Sequence, residues 1–372
     1  MRVEERVVLS RAAIVAIAAT YLLMGTVVSA YGPLLEHLTR RFAVSLPVAG
    51  ATISVHFLGS MPGVFFAMWA IHRIRARDLV MAASATVAVG LGIIAIAFDW
   101  PVFLGGVLVV GLGFGALVLS LNQLVAYSEG RRRSALLNAL NGCYSAGAVA
   151  GPILVAAFAG GHFSALYVAG ALVWLAALPG AVGIAGRLPV QAGAPSRPDV
   201  LVGIFICAFV LYVGVENGTG GWMTSHLESN GLSSTLAATV TSGFWLALMT
   251  GRLLVTLVPP RIPESTIVLT GSALATIALF LATFTALAPF AYIAAGLVIA
   301  PIFPTGIVWL AKLRPGDSRA TAWLYPAASI GGTFGPGVIG VVIAAAGVAW
   351  APAVISLVAL AMFAAFVAAA RR

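Results

Sequence analysis

Two ionisable side chains lie inside long apolar stretches, and either could carry a proton. Glu216 stands among glycines, and His56 lies in a stretch, 42–71, that contains no Asp, Glu, Lys or Arg. A charged group in hydrocarbon costs about 2.5–3.5 kcal/mol on insertion scales, so such residues are candidates for function. We predict proton coupling at Glu216 and His56. The alternatives are a Glu216 hydrogen-bonded to a neighbouring helix and a neutral His56 bonded to a backbone carbonyl.

Neutral polar and aromatic side chains in the same stretches could bind a solute. Amides offer paired donors and acceptors that match vicinal hydroxyl groups, and aromatic faces stack on the apolar face of a sugar ring. The alternative is hydrogen bonding between helices, worth about 0.6 kcal/mol per bond. Trp222 is expected either in the cavity or in the membrane interface. The predicted substrate-binding residues are Asn122, Asn138, Asn141, Tyr144, Asn217, Trp245, Thr305 and Tyr325.

A Gly-xxx-Gly-Pro motif occurs twice, half a chain length apart. Glycines four residues apart let a neighbouring helix approach closely, and the proline bends its helix by removing a backbone hydrogen bond. We predict a hinge or gate in each half, with plain helix packing as the alternative. Arg252, at the cytoplasmic end of the eighth span, is a further gating candidate, because Asp78 or Glu129 could pair with it. A plain contact with lipid headgroups is the alternative. The two copies are Gly147, Gly151, Pro152 and Gly331, Gly335, Pro336.

Membrane helices must carry these residues. The 372 residues are 61% hydrophobic and 8% charged, whereas soluble domains have about 25% charged residues. The uncharged runs 134–186, 265–311 and 320–370 are each long enough for two spans of about 20 residues. We therefore predict an all-α membrane protein with twelve transmembrane helices. Their approximate ranges are 12–34, 46–70, 79–98, 102–126, 135–159, 164–186, 200–222, 234–256, 266–286, 289–311, 319–345 and 349–370.

The basic residues predict the orientation. When the twelve spans alternate from an inside start, all of the 20 Lys and Arg residues except Arg40 and Arg41 fall inside. Because cytoplasmic loops are rich in Lys and Arg, we predict cytoplasmic termini in the cell (inner) membrane. The polar segment 187–199 would link the bundles 1–186 and 200–372. The net charge of +9 is thus a topology signal, and no nucleic-acid partner is expected.

Short motifs in the second half are similar to those of a transporter family. They are Tyr212-Val-Gly-Val-Glu216, Ser242-Gly-Phe-Trp245 followed by Gly251-Arg252, and Phe303-Pro304-Thr305. The chain resembles the major facilitator superfamily and, within it, the fucose-permease (fucose:proton symporter) branch. This resemblance implies two pseudo-symmetric six-helix bundles, with Asn141 where the family has a sugar-contacting Gln. The chain departs from the branch in having no acid in its first span and Val118 where the fourth span carries Glu.

These observations predict a secondary active transporter that moves a small polar solute, sugar-like in the first instance, by alternating access. Its partners would be the solute, membrane lipids and, as the candidate coupling ion, protons. The rivals are an exporter of drugs or other amphipathic compounds and a transport-dead membrane sensor. An enzyme is not expected, because two ionisable groups cannot supply a nucleophile, a base and an orienting group. No cofactor, metal site or catalytic residue is predicted.

Overall fold

The computed structural model describes residues 8–71, 73–127, 133–185, 199–255, 261–315, 320–321 and 323–372. Helices form in the apolar runs because a backbone without water must satisfy its polar groups within its own segment. The helices are α1 (Arg11–Phe42), α2 (Leu46–Ala70), α3 (Ala76–Ala95), α4 (Trp100–Tyr127), α5 (Arg133–Ala177), α6 (Val200–Ser229), α7 (Ser234–Leu254), α8 (Glu264–Leu281), α9 (Ala288–Ile299), α10 (Ile302–Leu313), α11 (Leu324–Ala346) and α12 (Ala351–Ala370).

The all-helical membrane architecture predicted from the composition is confirmed. Ten segments of the described residues are long and apolar enough to cross a membrane. One of them, Ala139–Gly183, has 45 residues. The more polar α7, which carries Arg252, is not among the ten. The count of twelve spans stays a prediction.

Helix α5 combines two of the predicted spans. Its 45 residues would extend about 68 Å at 1.5 Å per residue, more than twice the hydrocarbon thickness of about 30 Å. The backbone leaves the helical conformation at His162, with φ −131° and ψ 37°. This is the position of the predicted break, Gly160-Gly161-His162.

Helices α9 and α10 together form one predicted span, with a break that the sequence analysis did not anticipate. The break falls at Pro301, whose ring removes a backbone N–H donor while its backbone stays in the helical region. The segment Ala288–Leu313 therefore remains a single candidate span. The only strand pairing among the described residues joins β1 (Val8–Leu9) to β2 (Ile184–Ala185) in antiparallel register.

The chain divides into two compact units. Unit 1 consists of Met1–Val28, Val55–Ala148 and Ala157–Gly193, and unit 2 consists of Ser29–Ser54, Val149–Ala156 and Ala194–Arg372. Within unit 1, α3 packs along α4. Within unit 2, α6 is central and packs against α11, α12 and α7, while α9 packs against α7 and α8. The division into sequence halves 1–186 and 200–372 stays a prediction.

Candidate functional site

Polar side chains of unit 2 meet along the contact between α6 and α7. The contact positions on α6 fall along the chain as those on α7 rise, so the two helices run antiparallel. A hydroxyl pair at 2.8 Å, an indole ring packed on a glycine and an ion pair follow one another. These contacts are Thr224 with Thr241, Gly220 with Trp245, and Glu216 with Arg252.

The ion pair is the chemically distinctive part of this contact. Oε1 of Glu216 lies 3.4 Å from Nη2 of Arg252, and the two side chains are 13% and 23% exposed. Tyr212, one helical turn before Glu216, lies close enough to interact with both charges. A strong charge-assisted hydrogen bond is shorter, about 2.7–2.9 Å. The contact between Glu216 and Arg252 is therefore longer and weaker than a strong charge-assisted hydrogen bond.

The sequence analysis found Glu216 but missed its partner. The sequence predicts that Arg252 lies at the cytoplasmic end of the eighth span, where Asp78 or Glu129 could pair with it. Asp78 instead pairs with its neighbour Arg77 at 3.2 Å, and Glu129 lies outside the described residues. Helix α6 continues to Ser229, well beyond the predicted end at 222, so Glu216 lies near its middle. A longer predicted α6 would have placed Glu216 deeper along the helix and closer to Arg252, so the length of this helix was the signal for the pair.

His56 has very different surroundings in unit 1. Its ring is fully buried and makes edge-to-face contacts with Phe57 and Phe114, at centroid distances of 5.2 and 4.7 Å. Its carbonyl oxygen would lie 2.0 Å from a methyl group added at Gly111 of α4. The residue is thus fixed between aromatic rings and a close helix contact.

Two of the predicted solute-binding amides bond to their own helices. Nδ2 of Asn122 donates to the carbonyl of Val118 at 2.7 Å, and Nδ2 of Asn217 donates to that of Val213 at 3.1 Å. Both side chains are partly exposed. An amide has two donor hydrogens and one acceptor oxygen, so each bond uses one part of that capacity and fixes the rotamer.

The remaining predicted solute-binding residues divide between the units. Asn141 and Tyr144 are partly exposed on α5 in unit 1. In unit 2, Trp245 and Thr305 are buried and Tyr325 is partly exposed. The indole Nε1 of Trp245 has no hydrogen-bond partner among the described residues. The side chain of Asn138 lies outside them.

Both Gly-xxx-Gly-Pro copies lie in close helix contacts. A methyl group at Gly147 of α5 would lie 1.8 Å from the carbonyl oxygen of Leu22 on α1. One at Gly331 of α11 would lie 2.3 Å from that of Val210 on α6. Gly335 adds a contact with the backbone of α6, Gly151 is buried, and Pro152 and Pro336 lie inside their helices. The motif provides close packing at two corresponding places, and its role as a hinge stays a prediction.

Trp222 is enclosed by protein, whereas a tryptophan of the membrane interface would be exposed on the helix surface. The side chain is fully buried, and its Nε1 donates to the carbonyl of Pro336 on α11 at 3.0 Å.

Among the described residues, no group of three or more His, Cys, Asp or Glu side chains could hold a metal ion.

Apolar helices carry a partly buried ion pair here, with Glu216 near the middle of α6 and Arg252 in the last turn of α7. Charged residues inside such helices are typical of membrane transport proteins. The family model described as Major Facilitator Superfamily matches residues 17–294. Because this is more than half of the chain, the protein belongs to that superfamily. It is therefore a secondary active solute transporter and not an enzyme.

Solved structures agree with this fold over nearly the whole chain, although no curated protein matches its sequence. A mutant of the nucleoside transporter NupG has a TM-score of 0.77 at 14% identity, with 96% of this chain and 100% of that chain covered. A bacterial homolog of the human lysosomal transporter Spinster, inward-facing and occupied, gives 0.77 at 15%, covering 96% of each chain. A D-xylose-proton symporter gives 0.76 at 14%, covering 94% and 96%. Identities this low show the fold alone.

Proposed function

We propose that the protein couples the movement of a small polar solute to protons, with Glu216 as the coupling residue and Arg252 as its partner. The observation that carries this proposal is their contact at 3.4 Å, midway along α6. Protonation removes the charge of Glu216 and with it the Coulomb attraction to Arg252. Proton binding and opening of the pair are therefore linked, which provides a two-state element for a transport cycle.

The cycle that follows uses only these side chains and the solute. A proton binds the Glu216 carboxylate, which becomes a neutral acid and releases the guanidinium of Arg252. Arg252 keeps its charge, and its N–H groups then donate to oxygen atoms of the solute. When the solute leaves on the other side, Glu216 loses the proton and pairs with Arg252 again. His56 takes no part in this cycle, because its ring is enclosed by Phe57 and Phe114.

The solute is a hydroxyl-rich molecule, a sugar or a nucleoside. The buried N–H of Trp245 has no partner among the described residues, and a solute oxygen would satisfy it, as buried polar groups require. The partly exposed amides of Asn122, Asn141 and Asn217 suit the same hydroxyl groups. Structures of a nucleoside transporter and of a D-xylose-proton symporter share the fold. We also propose that the chain belongs to the fucose-permease branch, and fucose is therefore among the compounds to be tried.

The test is a binding screen followed by flux. The purified protein is heated with D-xylose, L-fucose, a nucleoside, a sugar acid or a hydrophobic dye, since a bound solute raises the melting temperature by mass action. We expect a sugar or nucleoside to stabilise it and to be taken up by proteoliposomes. Trp245→Phe, which keeps a ring but removes the N–H, should weaken this binding. Stabilisation by the dye alone would favour an amphipath exporter, and binding without flux would favour a sensor.

The membrane arrangement is part of the proposal. Two six-helix bundles, 1–186 and 200–372, would be joined by the linker 187–199, with both termini cytoplasmic in the cell membrane. The two Gly-xxx-Gly-Pro motifs would bend as the bundles rock. A cysteine introduced at Gly193 should react only with reagents that reach the cytoplasmic side. Labelling of intact cells by an impermeant reagent would reverse the orientation.

A further inference from the structure

A buried indole ring lies where α2, α6 and α11 meet within unit 2. Trp222 projects from α6, is fully buried and is held by the 3.0 Å hydrogen bond from Nε1 to the carbonyl of Pro336 on α11. Its neighbours include α2, which belongs to the first half of the sequence. Trp222 therefore joins segments that are distant along the chain.

Two glycines provide the space for this ring. A methyl group added at Gly50 of α2 would lie 2.2 Å from Cη2 of Trp222, and one at Gly340 of α11 would lie 3.0 Å from Cζ2. A Cβ atom essentially never lies within 3.0 Å of another heavy atom, so a side chain at position 50 would displace the indole. The ring thus fits between α2 and α11.

Three further close contacts of glycines in α1, α6 and α11 lie near this ring. A methyl group at Gly32 of α1 would lie 2.2 Å from the carbonyl oxygen of Gly220 on α6. One at Gly221 would lie 2.3 Å from Cδ1 of Ile53, and one at Gly337 of α11 would lie 3.0 Å from Oγ of Ser54. The segment Ser29–Ser54, with the α1–α2 turn, accordingly belongs to unit 2. The sequence predicts that this turn faces the exterior.

We infer that Trp222, seated between Gly50 and Gly340, is the latch that holds the α1–α2 end of the transporter closed. The inference rests on the proposed alternating-access function, because only such a cycle requires α1 and α2 to leave α6 and α11. To open this end, the indole must leave its site and Nε1 must give up the Pro336 carbonyl. Trp222 thus sets how much of the protein is closed at this end in the absence of solute.

The distance between a label in the α1–α2 turn and a label at the start of α7 shows directly whether this end is open or closed. Spin labels are placed at Ser45, in the turn after α1, and at Thr235, at the start of α7, with Cys143 and Cys207 replaced by serine. Both labelled positions are exposed. Double electron–electron resonance then gives the distribution of label distances in lipid nanodiscs without solute or pH gradient. We expect one short distance for the protein with Trp222 intact.

Removal of the ring should shift this distribution. With Trp222→Ala the ratio of long to short distances should rise about tenfold or more, since burial of a tryptophan is among the largest single-residue contributions. Gly50→Ala should act in the same direction by displacing the ring. Trp222→Phe keeps a ring but loses the hydrogen bond to Pro336. Its ratio of long to short distances should lie between those of the wild type and Trp222→Ala. Trp69→Ala, which removes an exposed indole of α2, is the matched control and should change nothing.

The outcomes separate a latch from ordinary packing. If Trp222→Ala does not fold, Trp222→Phe and Gly50→Ala decide the question. Variants that melt at lower temperature but keep the short distance would overturn the inference, because the ring would then only stabilise the fold. The experiment needs no solute, so it can succeed or fail independently of the solute and coupling proposed above.

Discussion

His56 and Glu216 are the same kind of residue in the sequence and opposite kinds in the structure. Each is an ionisable side chain inside an apolar run. His56 is enclosed by Phe57 and Phe114 and is fully buried, whereas Glu216 faces the charged Arg252 and both remain partly exposed. Ionisable residues within membrane spans are candidates for function, and this rule identifies both positions equally. The partner and its access to water decide which of them can exchange a proton.

The helix contacts around the two residues differ in the same way. The backbone of His56 touches α4 so closely that Gly111 accepts no side chain, and Gly59, Gly63 and Gly115 continue this contact between α2 and α4. Around Glu216 the contact between α6 and α7 is made by the side chains of the ion pair. The contact at His56 is thus made by the backbones of two helices, whereas the contact at Glu216 is made by charged side chains.

Replacing Arg252 should give the largest effect. Arg252→Ala leaves Glu216 as a partly buried charge without its partner, and breaking such a pair costs about 3–5 kcal/mol; the exposure of both groups favours the lower end. We expect loss of transport and a lower melting temperature. The double variant Glu216→Gln with Arg252→Ala should recover most of the stability. If the single variant is as stable as the wild type, the ion pair is not an important interaction.

A methyl group at Gly111 should give the next largest effect. Gly111→Ala places a carbon 2.0 Å from the carbonyl oxygen of His56, and overpacking of this kind costs about 1–3 kcal/mol. Gly105 on the same helix has open space around it, so Gly105→Ala is the matched control and should be neutral or slightly stabilising. Thermal unfolding in one detergent compares them. Equal melting temperatures would show that the contact between α2 and α4 is looser than described.

Replacing His56 should change transport little. His56→Phe keeps a ring among Phe57 and Phe114 and removes the titratable group. We expect an uptake rate within about twofold of the wild type and the same pH profile, because a ring that does not exchange protons contributes no titration. Uptake is measured between pH 5 and 8. A shift of the acidic side of this profile would place His56 in the coupling pathway and remove the contrast with Glu216.

An exposed ion pair provides the smallest expected effect. Asp199 caps α6 by accepting from the N–H of Val202 at 2.9 Å and pairs with Arg314 through Nε at 3.0 Å. The Val202 N–H and then Arg314 hold the pKa of the Asp199 carboxyl below its usual value. This contribution to stability is therefore present above the unfolded-state pKa and is lost as pH falls through the lower folded-state pKa.

Asp199→Asn tests the direction in which this contribution to stability changes with pH. The variant keeps an acceptor for Val202 but loses the charge, so its unfolding should lack the acid-dependent part that Asp199 supplies. The difference from wild type should be small at pH 7 and should disappear only as the pH falls below the unfolded-state pKa and through the lower folded-state pKa of Asp199. A difference that grows toward low pH would contradict the assignment. The comparison with Arg252→Ala shows how far burial increases the importance of an ion pair.

The sequence predicted the helices and most of the candidate residues, but not which of them touch. Apolar runs and glycine or proline breaks located the spans, including the break at His162. The pairing of Glu216 with Arg252 depends on where α6 ends, and helix ends are the least certain part of such a prediction. The surroundings of His56 and Trp222 depend on residues far along the chain, which neither periodicity nor composition encodes.

The most direct test of the account is proton-driven uptake by Glu216→Gln. This variant keeps the shape and hydrogen bonding of the side chain and fixes it in a neutral form. Wild type and variant are reconstituted into proteoliposomes with the solute found in the binding screen, and both counterflow exchange and accumulation driven by a pH gradient are recorded. We predict that the variant exchanges solute at the wild-type rate but does not accumulate it. Accumulation at the wild-type level would contradict the central role of Glu216.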